Sequence, residues 1–209
     1  GHWIESHKDW AFGILGYDLK NDLEKLESGN RNWLQLPDIS FFQPRHIIFF
    51  GDMETLVESP EPERVWQAIM SQNIGSQMPF SGRISMQLGM DKQEYLKKVK
   101  ALKEHILDGD VYEINFCQAF NGQIEGEIPL DQWFWSLNNL SPMPFSCLFK
   151  TGNMGLICAS PERFLQKKGE KLLSQPIKGT APRGTTPEED KHYKNLLMND
   201  EKERAENLM

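Results

Sequence analysis

Four side chains in this sequence have the types and the spacing to do chemistry together. Lys178 lies in Pro176-Ile177-Lys178-Gly179-Thr180-Ala181, which continues as Pro182-Arg183-Gly184. Glu162 stands sixteen residues earlier, in Ser160-Pro161-Glu162, and Glu203 and Glu206 follow near the end of the chain. A lysine amine and a carboxylate, each in a segment that reads as a strand, can face one cleft as nucleophile and proton carrier. At its ordinary pKa of about 10.4 a lysine is almost wholly protonated at neutral pH, so a nucleophilic lysine needs burial or a neighbouring cation to free its amine. Pro176, Ile177 and Gly179 are compact enough to allow burial, and Arg183 is near enough in sequence to add positive potential. The same lysine also fits a surface charge at a strand end, and local chemistry does not choose between the two.

The carboxylates are open to two readings as well. Glu162, between Pro161 and Arg163-Phe164, is expected to be partly desolvated, which suits acid or base work; a strand-end salt bridge with Arg163 is the plainer alternative. Glu203 and Glu206 are three apart, so on a helix they share a face. Two carboxylates on one helical face suit a hard cation such as magnesium, and equally a solvated acidic face.

The elements that must hold these residues follow from pattern. Asp91 with Glu94 three residues on reads as a capping box, followed by Leu96, Val99, Leu102 and Ile106 at helical spacing and by Gly109 as a stop. Val111 to Phe120 alternates as a half-buried strand, and Leu130 to Asn138 reads as a helix. Phe145 to Phe149 and Met154 to Ser160 read as strands joined by Thr151-Gly152-Asn153, with a third at Phe164 to Gln166 and a fourth ending at Lys178. Thr186-Pro187-Glu188-Glu189 is a second capping signal, and the helix it opens runs to Met209 with no stop signal. A helix ending on Leu208-Met209 predicts that the chain is a piece of something longer.

Upstream, Asp9 to Asp18 suggests a strand and a turn, Leu19 to Leu26 a short helix, and His46 to Phe50 a strand turned back by Gly51-Asp52. Glu63 to Met70 reads as a helix. Ser71 to Gly82, rich in Gly, Ser, Gln and Asn, reads as a linker, placing a boundary between residues 1–75 and 76–209. Helices mixed with antiparallel strand runs give an α+β class.

Composition narrows the function. An apolar content of 39% over 209 residues predicts a buried core. The net charge of −7 gives no electrostatic reason to bind nucleic acid or an anionic membrane, and no apolar run approaches the length of a membrane span. Cys117, Cys147 and Cys158 lie in apolar stretches without CxxC spacing, which predicts buried, reduced thiols in a cytoplasmic protein.

Taken together, the segments resemble the chorismate-utilising enzymes, the anthranilate synthase component I superfamily. Phe12-Gly13-Ile14-Leu15-Gly16-Tyr17-Asp18 resembles its N-terminal motif, and Gly109-Asp110-Val111-Tyr112-Glu113-Ile114-Asn115-Phe116 its "GDxYQxNL" strand. Ser160 to Phe164 matches "SPERF", Pro176 to Gly184 is similar to "PIKGTxPRG", and Arg204 to Met209 to the start of its "AENLM" helix. The resemblance implies a chorismate-utilising fold, an antiparallel β-sandwich flanked by helices, of which this chain is an incomplete fragment. It implies that residues 1–75 belong to the component I N-terminal region and 76–209 to the N-terminal half of the chorismate-binding domain.

Within the superfamily the lysine discriminates. Anthranilate synthases have alanine at this place, whereas the aminodeoxychorismate synthase component I branch of 4-aminobenzoate and folate biosynthesis has lysine. The resemblance then implies that Lys178 attacks C2 of chorismate as the C4 hydroxyl leaves, that ammonia adds at C4 and displaces it, and that Glu162 is the acid/base. It implies substrate contacts at Gly179, Thr180 and Asn115, and Mg2+ held by Glu206 with Glu203. It also implies a glutamine amidotransferase partner that supplies the ammonia. Glu113 replaces the family's usual glutamine; water-using members have lysine there, so its absence argues against an isochorismate synthase. Pro142 to Ser146 is similar to a segment that helps form an indole pocket in feedback-regulated relatives. Because the family's C-terminal half would follow Met209, the resemblance predicts that these 209 residues alone do not turn over chorismate. Anthranilate synthase component I, or a non-catalytic segment that only binds a partner or ligand, are the alternatives.

Overall fold

A computed structural model describes residues 9–29, 34–73 and 80–208. The chain divides into two compact units, Gly1–Gln77 and Met78–Met209. Part of the linker expected over Ser71 to Gly82, residues 74–79, lies outside the described residues.

In the first unit, strand β1 (Phe12–Leu15) leads through a 3-10 turn into α1 (Lys20–Glu24). Lys25 adopts a left-handed conformation (φ 48°) and ends that helix, two residues short of the Leu26 expected from its apolar spacing. Strand β2 (Ile39–Phe42) pairs antiparallel with β1, and β3 (Ile47–Phe50) pairs antiparallel with β4 (Thr55–Glu58). Gly51 closes the β3–β4 turn through its N–H to the Glu54 carbonyl at 2.9 Å. Trp10 joins the two hairpins, its ring 5.6 Å from Phe49 and 6.1 Å from Phe12. Helix α2 (Pro62–Met70) has its proline in the first turn, where no backbone donor is lost.

The second unit carries the four candidate residues. Strand β5 (Arg83–Leu88) precedes α3 (Lys92–Asp108). Asp91 caps α3 by accepting the Glu94 N–H at 2.8 Å, and Gly109 ends it at φ +82°, a conformation costly for any residue with a Cβ. Val99 and Leu102 form the half-buried stripe of the helix. Strand β6 (Phe120–Glu125) pairs with β5, and α4 (Leu130–Leu140) packs on the hairpin of β7 (Phe145–Thr151) and β8 (Met154–Ser160). Strands β9 (Arg163–Lys168) and β10 (Lys171–Gln175) form the next hairpin, and α5 (Pro187–Asn199) and α6 (Glu201–Leu208) close the unit.

Helices with antiparallel strands make the chain α+β, as expected. Among the described residues the strands pair only two by two, in five antiparallel ladders. No helix is long and apolar enough to cross a membrane among the described residues.

Four expectations need correction. First, Val111 to Ala119 forms no ladder among the described residues; the strand begins only at Phe120, opposite Leu88 where β5 ends. Second, the strand before Lys178 stops at Gln175, where pairing with β9 ends. Third, the helix from Pro187 breaks at Asp200 (ψ 125°). Asn and Asp side chains compete for backbone hydrogen bonds: Asn199 donates to the Asn195 carbonyl at 2.7 Å, and Asp200 accepts the Glu203 N–H at 3.0 Å, ending one helix and capping the next. Fourth, no described residue is fully buried, since two-stranded ladders offer little cover to an apolar face. The thiols follow suit: Cys117 and Cys147 are exposed and Cys158 is partly so. Cys147 and Cys158 lie opposite each other in the β7–β8 register, and burial followed by the Cys158 charge pushes the Cys147 thiol up.

Candidate active site

Lys178 projects from the irregular segment that follows β10. Its Nζ donates to both carboxylate oxygens of Glu113, at 2.9 and 3.2 Å, across 65 residues of chain. The two side chains are 26% and 32% exposed, so the pair is shielded but reachable from solvent. The Glu113 hydrogen bond, opposed by partial burial and supported by the charges of Glu113, Glu206 and Glu162, holds the Lys178 ammonium above the usual lysine range. The condition that a nucleophilic lysine sets, a pKa lowered by burial or a neighbouring cation, is therefore not met among the described residues. Arg183 points elsewhere: its Nε and Nη2 donate to the two Asp190 oxygens at 2.6 and 3.0 Å. That bidentate pairing raises the Arg183 pKa and holds the Asp190 carboxyl below the usual range. Its role is to fasten the segment after Lys178 to α5, helped by the Gly184 N–H, which donates to Asp190 at 3.0 Å.

Glu113 is held although its segment is not a strand. His105 and Asp110 pair at 2.7 Å across the end of α3, Phe116 lies 5.4 Å from the Tyr95 ring, and Gln118 donates to the Met90 carbonyl at 3.0 Å. Each contact ties residues 110–118 back to α3 or its approach.

Glu162 occupies the bend between β8 and β9, where the Ser160 hydroxyl bridges the Glu162 N–H and carbonyl at 3.4 and 3.3 Å. Its carboxylate accepts the Ile177 N–H at 3.2 Å, so the acid is fastened to the residue beside Lys178. The expected desolvation by Pro161 and Phe164 is corrected: Glu162 and Phe164 are exposed. Nor does Arg163 pair with Glu162; it donates to Gln175 at 3.0 Å and lies 4.9 Å over the Phe145 ring.

Helix α6 brings Glu203 and Glu206 to the same place. A cleft of about 640 Å³ is lined by Lys178, Met198, Glu203, Arg204 and Leu208. Gly179 is left-handed (φ +64°), which strains any residue with a Cβ, and a Cβ there would also force the Glu203 carboxylate to shift. Glu203 Oε2 is buried and has no hydrogen-bond partner among the described residues, whereas Glu203 Oε1 meets Lys202 at 3.3 Å and Glu206 Oε1 meets it at 2.9 Å. Among the described residues no group of three His, Cys, Asp or Glu side chains could hold a metal. The orphaned Glu203 oxygen and the oxygen-only donors nevertheless fit magnesium, which is held by one or two carboxylates with water and substrate completing its shell.

Lys178, Gly179, Glu162, Glu203 and Glu206 thus belong to one neighbourhood. Asn115 and Thr180 are exposed, and the Asn115 side chain forms no hydrogen bond among the described residues. The partner that sequence reasoning did not assign is Glu113; the only signal was an acid where the resemblance has glutamine.

The chorismate binding enzyme family matches residues 2–209. The chain belongs to that family. It is 30% identical over 204 residues to aminodeoxychorismate synthase component 1 of Salmonella typhimurium, covering 95% of this chain and 44% of that protein. It is 27% identical over 224 residues to anthranilate synthase component 1 of Thermus thermophilus, covering 99% and 48%. The structure of anthranilate synthase component I from Streptococcus pneumoniae superposes with a TM-score of 0.77 at 22% identity, over 94% of this chain and 46% of that one, which shows the fold. The chain spans about half the length of the relatives it matches.

Proposed function

We propose that this chain carries the lysine-bearing part of an aminodeoxychorismate synthase component I, which converts chorismate and ammonia to 4-amino-4-deoxychorismate. The observation that supports it most is the hydrogen bond from the Ile177 N–H to the Glu162 carboxylate, which keeps that acid within electrostatic reach of Lys178. Lys178 attacks C2, the ring double bonds shift, and the C4–O bond breaks as Glu162 protonates the departing hydroxyl. Ammonia then adds at C4, the double bonds shift back, and the Nζ–C2 bond breaks. Glu203 and Glu206 would hold magnesium, which when bound offers positive charge to a substrate carboxylate. Gly179, Thr180 and Asn115 contribute substrate contacts.

On this reading residues 1–75 belong to the N-terminal region of component I, and 76–209 are half of a chorismate-binding domain built as an antiparallel β-sandwich flanked by helices. A glutamine amidotransferase supplies the ammonia, and the enzyme serves 4-aminobenzoate synthesis in the cytoplasm, where free thiols stay reduced.

The test is made on the full-length protein, with chorismate, ammonium salt, magnesium and excess aminodeoxychorismate lyase. Formation of 4-aminobenzoate that is lost in Lys178→Ala is expected. Anthranilate as the product, or amination that survives Lys178→Ala, would overturn the reading; no product at all would favour a segment that only binds.

A further inference from the structure

We propose that Glu113 is a further catalytic residue, the base that takes the proton from Lys178 and returns it when the lysine is released. This inference rests on the reading of Lys178 as the nucleophile.

Two demands on Lys178 conflict. A nucleophilic amine must be neutral, yet carboxylates surround Lys178 and favour its ammonium form. The proton must leave by some route during each turnover. Four carboxylates belong to the neighbourhood. Glu162 is engaged by the Ile177 N–H, Glu206 and one oxygen of Glu203 by Lys202, and the other Glu203 oxygen is packed against Gly179. Of these, Glu113 alone makes an ion pair with Nζ among the described residues, at hydrogen-bond distance through both oxygens. Glu201 and Arg204 complete the charged lining of the cleft, and neither bonds Nζ among the described residues. A proton that leaves Nζ along an existing hydrogen bond therefore arrives on Glu113. A glutamine at this position would hold the lysine but could not accept its proton.

The steps balance. The Lys178 ammonium gives one proton to the Glu113 carboxylate. The neutral amine forms the Nζ–C2 bond with its lone pair, the double bonds shift, and the C4–O bond breaks, its oxygen leaving as water with the Glu162 proton. Ammonia bonds to C4, the double bonds return, and the electrons of the Nζ–C2 bond go back to Lys178 as a neutral amine. The new C4 ammonium reprotonates Glu162, and Glu113 returns its proton to Lys178. Net, chorismate and ammonia give the amine and water, with every side chain restored.

This role has a signature that mere positioning lacks. The ammonium–carboxylate pair and the amine–carboxylic acid pair contain the same number of protons, so transfer between them does not depend on pH. Without Glu113 the rate must follow the fraction of free amine, which rises about tenfold per pH unit below the lysine pKa. The experiment uses the full-length protein with saturating chorismate, with the concentration of free ammonia held constant at each pH. For the parent, log rate is expected to be nearly flat from about pH 7 to 9 with respect to this pair. Glu113→Gln is expected to lose about 10²-fold or more at pH 7 and to climb with a slope near one. Glu113→Asp, which keeps a carboxylate, is expected to be slower than the parent but flat. A Glu113→Gln profile parallel to the parent's, with Lys178→Ala inactive, would overturn the role of Glu113 while leaving the lysine mechanism standing. Retained amination in Lys178→Ala would overturn both.

Discussion

Lys178 and Lys202 both meet carboxylates in the second unit, and the two regions achieve it by different means. On α6, Lys202 reaches Glu206 one turn on and Glu203 beside it, a pairing that helical spacing alone produces. Its side chain is 71% exposed, and Glu206, then Glu203, push its ammonium up. Beside β10, Lys178 meets an acid 65 residues away, and only the folded chain supplies that contact. Exposed local pairs of the first kind contribute little to stability and exist in the isolated helix. A shielded pair assembled from a bend, an irregular segment and a left-handed glycine exists only if several elements agree. The comparison separates charge that decorates a helix from charge that a fold has gathered.

Substitutions put this contrast to the test. The largest effect is expected from Lys178→Ala, which should lower amination by the full-length protein by at least about 10³-fold, measured as coupled 4-aminobenzoate formation. Glu162→Gln should follow, with a loss of about 10²–10⁴-fold in kcat and a smaller change in KM for chorismate, since the acid acts on the leaving group. The effect of Glu113→Gln, described above, stands beside it and differs in kind, through the slope of its pH profile.

A smaller effect, on stability rather than rate, is expected at Asp190. Its carboxyl is held below the usual range by the Arg183 hydrogen bond and then by the Gly184 N–H. A depressed folded pKa contributes stability that is fully present above the unfolded value of about 3.9 and is lost as pH falls through the folded value. Asp190→Asn should therefore lower Tm measurably at pH 7 and flatten the loss of Tm below about pH 4, followed by circular dichroism. The smallest effect is expected from Lys202→Ala: Tm at pH 7 should not move measurably, and a large drop would erase the distinction between the two lysines.

The sequence was most legible where structure is local. Asp91 and Thr186 cap their helices as their spacing predicts, the Thr186 hydroxyl accepting the Glu189 N–H at 3.2 Å, and β8 spans Met154–Ser160 as its apolar run indicates. The positions of Lys178, Glu162, Glu203 and Glu206 were legible as motifs. What they touch was not, because a contact across 65 residues leaves no trace in periodicity. Arg183 shows the same limit: five residues from Lys178 in sequence, it turns to Asp190, and no spacing rule foretells that choice. The segment 111–119 alternates like a strand yet has no ladder, since alternation reports which side chains prefer water and not whether a neighbouring backbone is present.

The break at Asp200 has one further consequence. A continuous helix from Pro187 onward would carry a fixed angular phase of about 100° per residue, so the bearing of Glu203 and Glu206 would be dictated by the length of α5. The kink resets that phase. The direction of the two acids is set afresh by the Asp200 cap and by the seat of Glu203 on Gly179. Gain or loss of one residue within α5 then need not swing the acids away from Lys178, and α5 can vary in length while α6 keeps its aim.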